Sequence, residues 1–204
     1  MTAYLHQSLL LAVLTGLAAG FLHVLAGPDH LAAVAPLAVS TERAAWRSGL
    51  VWGVGHTAGV LLVGALLLAF RELLPLDALS AWSERAVGAA LIAIGGWGLW
   101  HARRPHSHRH VSGRASFAMG TMHGLAGSSH LFGVLPSLLF ASRLDAGLYL
   151  LAFGVGAIAA MTAFAAVVGS VATASGRSDA TVRRTIVYAT SLAAVAVGGV
   201  WLLA

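Results

Sequence analysis

The 204-residue sequence has no cysteine and no lysine, and only 9% of its residues are charged. Without cysteine there are no disulfides, no thiolate metal sites and no thiol redox chemistry. All 12 basic residues are arginine, so the lysine of a G-x-x-x-x-G-K-[ST] nucleotide-binding loop is missing. An H-E-x-x-H protease motif is absent as well, and no enzyme activity is expected. A soluble domain carries about 25% charged residues. The deficit here leaves too little polar side chain to cover a water-facing surface. Ten-residue alternating segments are also lacking, which argues against a membrane β-barrel.

What the chain has instead is apolar length. Hydrophobic residues make up 58% of it, and mean hydropathy is +0.84. Runs of about 20 apolar residues, enough to cross about 30 Å of hydrocarbon, recur throughout. The 24 glycines suit close helix packing in lipid. These features predict an all-α integral membrane protein with spans at about 8–39, 46–70, 82–101, 115–140, 146–172 and 185–204. The start, MTAYLHQSLLLAVLTGLAAG, has no basic n-region and reads as part of the first span rather than a signal peptide.

The first span is too long for one rod, about 46 Å at 1.5 Å per residue. Gly27-Pro28 lies within it. Proline lacks an N–H and biases the preceding residue away from helix, so a broken helix is expected there. Arginine placement sets the topology. Six spans put Arg43, Arg47, Arg103, Arg104, Arg109, Arg114, Arg177, Arg183 and Arg184 on one side, and Arg71, Arg85 and Arg143 on the other. The positive-inside rule then puts both termini outside and the 102–114 loop in the cytoplasm. The basic loops therefore need no nucleic-acid partner; the expected partners are a lipid bilayer and a metal ion.

Residues 20–36 read GFLHVLAGPDHLAAVAP and residues 120–136 read GTMHGLAGSSHLFGVLP. At an offset of one hundred, nine of seventeen positions are identical, including two histidines and a proline. GVG at 53–55 returns at 154–156. Two three-span units (1–101 and 115–204, joined by the loop 102–114) would enter the membrane in opposite senses. This predicts six transmembrane helices as an inverted 3+3 repeat with a broken first helix in each half, an architecture of secondary transporters.

His23, Asp29, His30, His56, His123 and His130 all fall within predicted spans. Ionisable groups there are costly, which makes a functional role the default. Histidines with one carboxylate suit a divalent transition metal, and the absence of thiolates suits release. The competing structural reading is that each histidine bonds a neighbouring carbonyl. It is strongest for His56 alone and weaker for the duplicated His23/His30 and His123/His130 sets. Asp29 also has a structural role open to it, at the N-terminus of the helix after the break; Ser128 and Ser129 would cap neutrally in the second copy. Met119, Met122 and Met161 read as packing. HARRPHSHRH at 101–110 either gathers metal or is a solvated basic loop.

These residues resemble the nickel/cobalt permeases. GVGHTAG is similar to the GHS/T motif of the NiCoT type. His23, Gly27, Asp29 and His30 match the H-P-x-x-G-x-D-H pattern of the HupE/UreJ type, with Val24 where that proline stands. HGLAG and the six-span length look like the UreH type. The resemblance implies a secondary permease of Ni²⁺ or Co²⁺ in a bacterial inner membrane, the ion being substrate and no cofactor being needed. It implies metal-handling roles for His23, Asp29, His30 and His56; His123 and His130 enter through the internal repeat. Uptake follows from the resemblance, and a related exporter branch exists. Two other classes compete: a bis-histidine haem protein using, for example, His56 and His123, and an exporter of a small anion or amino acid, which would more naturally use arginine at the site.

Overall fold

The computed structural model describes residues 2–40, 44–70, 76–103, 112–125, 133–176 and 180–203. Among these there are seven α-helices and no strand: α1 Thr2–Ala26, α2 Pro28–Ser40, α3 Ala45–Phe70, α4 Leu76–Ala102, α5 Gly113–Leu125, α6 Arg143–Gly176 and α7 Ala180–Leu203. A 3₁₀ helix, Leu135–Leu139, precedes α6. Four helices contain stretches long and apolar enough to cross a membrane: Gln7–Ala26, Ala45–Leu66, Arg143–Ala174 and Arg184–Leu203. In α4 the apolar part is shorter, Val87–Trp100.

The outside of this bundle is apolar. Leu10, Leu14 and Leu22 of α1, Leu62 of α3, Leu151 and Val167 of α6, and Val200 of α7 are all exposed, while Asp29, His30, His56 and His123 are buried. Water would penalise that distribution; a hydrocarbon solvent favours it.

The break expected at Gly27 is there. The Gly27 N–H donates to the His23 carbonyl at 3.0 Å, ending α1, and the Gly27 carbonyl accepts from the His30 and Leu31 N–H groups at 3.2 and 3.4 Å, starting α2. Pro28 takes the first position of α2, where its missing N–H costs nothing. α2 has 13 residues, about 20 Å at 1.5 Å per residue, too short for a full crossing. Residues 32–39 are buried without interruption. α2 is enclosed by α3, α4, α6 and α7, as expected of a helix apolar on every face. In the second copy α5 is described as far as Leu125; residues 126–132, which include the expected second break and His130, lie outside the described residues.

The main pairings are α1 with α6, α4 with α7, and α3 with both α5 and α6. They are close because glycine lines them. A Cβ at Gly20 would strike the Phe153 carbonyl oxygen, and one at Gly120 the Trp52 carbonyl oxygen. Likewise Gly156 faces the Leu17 carbonyl and Gly55 the Phe117 carbonyl. These contacts recur in the register of the duplicated sequence: positions 20 and 120, 17 and 117, with helix partners displaced by 101.

A test of this packing compares two glycines. At Gly120 an added methyl meets backbone that cannot move aside, whereas at Gly96 nothing lies within 4 Å. Overpacking costs about 1–3 kcal/mol. Alanine also favours a helix interior over glycine, so thermal unfolding in detergent is expected to show a lowered Tm for Gly120→Ala and an unchanged or raised one for Gly96→Ala; equal values would refute the close α3–α5 approach.

Candidate metal centre

Four helices bring the polar residues together. His23 sits in the last turn of α1, and Asp29 and His30 in the first turn of α2. His56 is near the middle of α3, and His123 is in the last turn of α5. The break at Gly27 has an electrostatic consequence. The positive end of the α2 dipole lies beside the Asp29 carboxylate, and the negative end of α1 beside His23.

The Asp29 side chain joins two imidazoles. Its Oδ1 lies 3.0 Å from His30 Nδ1 and its Oδ2 3.3 Å from His123 Nε2. Asp29 is 1% exposed, so a bare carboxylate there would be costly and the two imidazoles offset that cost. An Nδ1–H on His30 donating to Asp29 leaves the ring lone pair on Nε2. A carboxylate behind an imidazole in this way fixes its tautomer and raises its basicity as a ligand.

His30 is the centre of the cluster. Its ring centroid lies 4.6 Å from His23, 4.9 Å from His56 and 4.8 Å from His123, each edge-on. His56 and His123 are 5.7 Å apart, and His23 and His56 are 6.1 Å apart. Two groups have donor atoms all within 4.8 Å of one another: His23, His30 and His56, and Asp29, His30 and His123. Donors each about 2.1 Å from one ion are at most about 4.2 Å apart, so a side-chain contraction of about 0.6 Å or less would bring three of them onto one ion. The donors are imidazole and carboxylate, a set suited to nickel, cobalt, copper, zinc or iron rather than calcium.

Of the six residues singled out in the sequence, His23, Asp29, His30, His56 and His123 converge, while His130 lies outside the described residues. So do residues 104–111, with His106, His108 and His110 of the basic loop. Met161 is buried in the apolar core and Met122 is exposed.

Three supporting residues are not themselves candidate donors: Trp52, Phe153 and Gly124. Trp52 backs His123 at 6.0 Å, and Phe153 backs His23 at 5.3 Å. Each aromatic stands just before its GVG, so aligning the two GVG segments would have paired them. Gly124 is the other: a side chain there would strike the His56 backbone. The corresponding positions of the α1–α6 contact hold Val24 and Ala157, both buried in the apolar core. Thus a histidine opposite glycine on one side matches an alanine opposite valine on the other. Thr57, beside His56, donates to the Gly154 carbonyl at 3.2 Å and ties α3 to α6.

Comparison with known proteins adds a second line of observation. The chain is 33% identical to two Arabidopsis thaliana proteins, Chloroplast protein FOR GROWTH AND FERTILITY 1 and 2, over 90% and 95% of its length. It spans 56% of the length of each. It is 29% identical to the urease accessory protein UreH of Bacillus sp. strain TB-90, over 82% of this chain and 81% of that one. A more distant relative is a protein of Methanocaldococcus jannaschii named as a proposed nickel/cobalt efflux system, 26% identical over 76% of this chain and 75% of that one. No protein-family model and no solved structure matches the chain.

Gly27 offers a way to perturb the centre without removing a donor. A Cβ there would collide with His30 Nδ1 and come within 2.8 Å of Asp29 Oδ1. If this cluster holds a divalent transition metal, Gly27→Ala should weaken its binding by the purified protein, probed with Ni²⁺, about 10–100-fold, the usual cost of disturbing a ligand's support. Isothermal titration would measure it, and unchanged affinity would separate the cluster from metal binding.

Proposed function

We propose that this protein is a secondary transporter of divalent nickel, with cobalt as a second substrate, and that His23, Asp29, His30, His56, His123 and His130 form its intramembrane binding site. The observation that carries the reading is the convergence of four imidazoles and one carboxylate at the broken ends of α1 and α2, within an otherwise apolar bundle. With neutral imidazoles the cluster carries one negative charge, from Asp29. That charge attracts a divalent cation without neutralising it, a balance that permits release. The archaeal relative named for nickel/cobalt efflux supports the metal class.

The proposed architecture is an inverted repeat of two three-span halves, 1–101 and 115–204. Matched glycine contacts at an offset of 100 or 101 support it. Alternating access then rocks one half against the other about the α3–α5 and α1–α6 contacts, and the ion exchanges its water shell for imidazole and carboxylate. The proposed location is an inner membrane with the termini outside and the 102–114 loop cytoplasmic, following the arginine bias. Uptake is the preferred direction. Export is the second reading, favoured by the name of the archaeal relative. Haem ligation between His56 and His123 fits less well, since His30 stands within 5 Å of both rings, where a macrocycle would have to pass.

⁶³Ni accumulation in cells tests the transport reading. Cells expressing the wild type should accumulate more than vector cells, and His23→Ala, Asp29→Ala, His56→Ala and His123→Ala should each return to vector level at equal membrane abundance. Accelerated loss from preloaded cells would select export, and no difference in either assay would exclude nickel. Protons compete with metal for imidazole, so acidifying the medium should lower uptake, measured as initial rate against external pH. Topology can be read by adding a cysteine to this cysteine-free chain. One placed at Ser107 should be labelled by an impermeant maleimide only after the membrane is opened.

A further inference from the structure

We propose that the cluster comprises two overlapping three-donor positions sharing His30, and that a single ion is handed from one to the other during transport. The inference rests on the transition-metal reading above. Each three-donor group has its ligand atoms within 4.8 Å of one another, and His30 is the member common to both. The ring distances point the same way: His23, His56 and His123 each lie 4.6–4.9 Å from His30, but 5.7 Å or more separates His56 from either of the others.

The shared residue makes the positions alternatives. A neutral imidazole offers one lone-pair nitrogen, so His30 can ligate one ion at a time. The two positions also differ in origin and chemistry. His23, His30 and His56 come from α1, α2 and α3 and provide three imidazoles. The other set needs His123 of α5 and contains the carboxylate. Movement of α5 away from α2 would therefore part the Asp29–His123 pair, 3.3 Å apart, and dismantle only that position. The ion, still held by His30, would exchange the Asp29 oxygen and the His123 nitrogen for His23 and His56. His30 keeps its Nδ1–H on Asp29 Oδ1 and binds through Nε2 throughout, Asp29 binds through Oδ2, and each other imidazole binds through its unprotonated nitrogen, so only metal–ligand bonds change and no electron is required. The position built across the two halves is then the one that opens, and the position within the first half retains the ion until it leaves.

The test uses the purified full-length chain in detergent, with Ni²⁺ for affinity and Cu²⁺ for pulsed electron paramagnetic resonance. One Ni²⁺ per chain is expected at saturation. His56→Ala and His123→Ala should each keep one ion within about tenfold of wild-type affinity, although both stop transport, whereas His30→Ala should lose about 100-fold or more. With His130 replaced by alanine throughout, imidazole counts on Cu²⁺ should be three in His123→Ala, two in His56→Ala and no more than three when the other four histidines are intact. The last count leaves the described cluster untouched and is unaffected if a cluster substitution misfolds. Four imidazoles on one ion in that chain would overturn the proposal in favour of one undivided site, and so would two ions per chain. Failure of the wild type to bind Ni²⁺ or Cu²⁺ at all would instead overturn the metal reading on which the proposal rests.

Discussion

The buried carboxylate of Asp29, held between His30 and His123, is the constraint on which the rest of the molecule depends. An unpaired charge at that depth would cost several kcal/mol. Three features offset it together. His30 and His123 lie 3.0 and 3.3 Å from its two oxygens, and the N-terminus of α2 turns its positive end toward it. Each feature makes a demand of its own. The helix N-terminus requires a break in the first apolar segment, which Gly27 and Pro28 create. His123 requires α5 to come close to α3, which Gly120 and Gly124 permit by presenting no side chain to the Trp52 and His56 backbone.

The duplicated segments share backbone packing but not chemistry. Gly20 on Phe153 has its counterpart in Gly120 on Trp52, and Gly156 on Leu17 in Gly55 on Phe117. Yet the first segment contributes Asp29 where the second has Ser129, and His56 stands where the second has Ala157. The volume of His56 is accommodated by glycine at 124, and the smaller Ala157 is matched by valine at 24. The first of the two segments and the helix after it thus hold the carboxylate and most of the described candidate donors.

Much of this was legible in the sequence. The charge deficit identified a helical bundle built for an apolar solvent, and Gly27-Pro28 marked the break to the residue. The repeat at an offset of one hundred selected His123 as a partner for residues a hundred positions away. Helix lengths were less legible. α4 extends back to Leu76 through Asp77, Glu84 and Arg85 before its apolar part begins. Hydropathy reports where apolar residues are dense, whereas helix ends follow backbone hydrogen bonding. Trp52 and Phe153 were overlooked because an aromatic residue in an apolar helix looks the same whether it packs on leucine or on histidine.

The sequence by itself determined the solvent the chain is built for, the position of its first break and the identity of its candidate donors. Those are properties of residue type and local order: proline removes an N–H wherever it stands, and a histidine in an apolar run is costly in any fold. Which donors face one another was decided only by the tertiary structure. Distances such as that from Asp29 to His123 depend on how closely α3 and α5 approach, and that approach is set by van der Waals contact between glycines and carbonyls on helices far apart in the chain. The central place of His30, touching three other imidazoles, emerges only once those contacts are made.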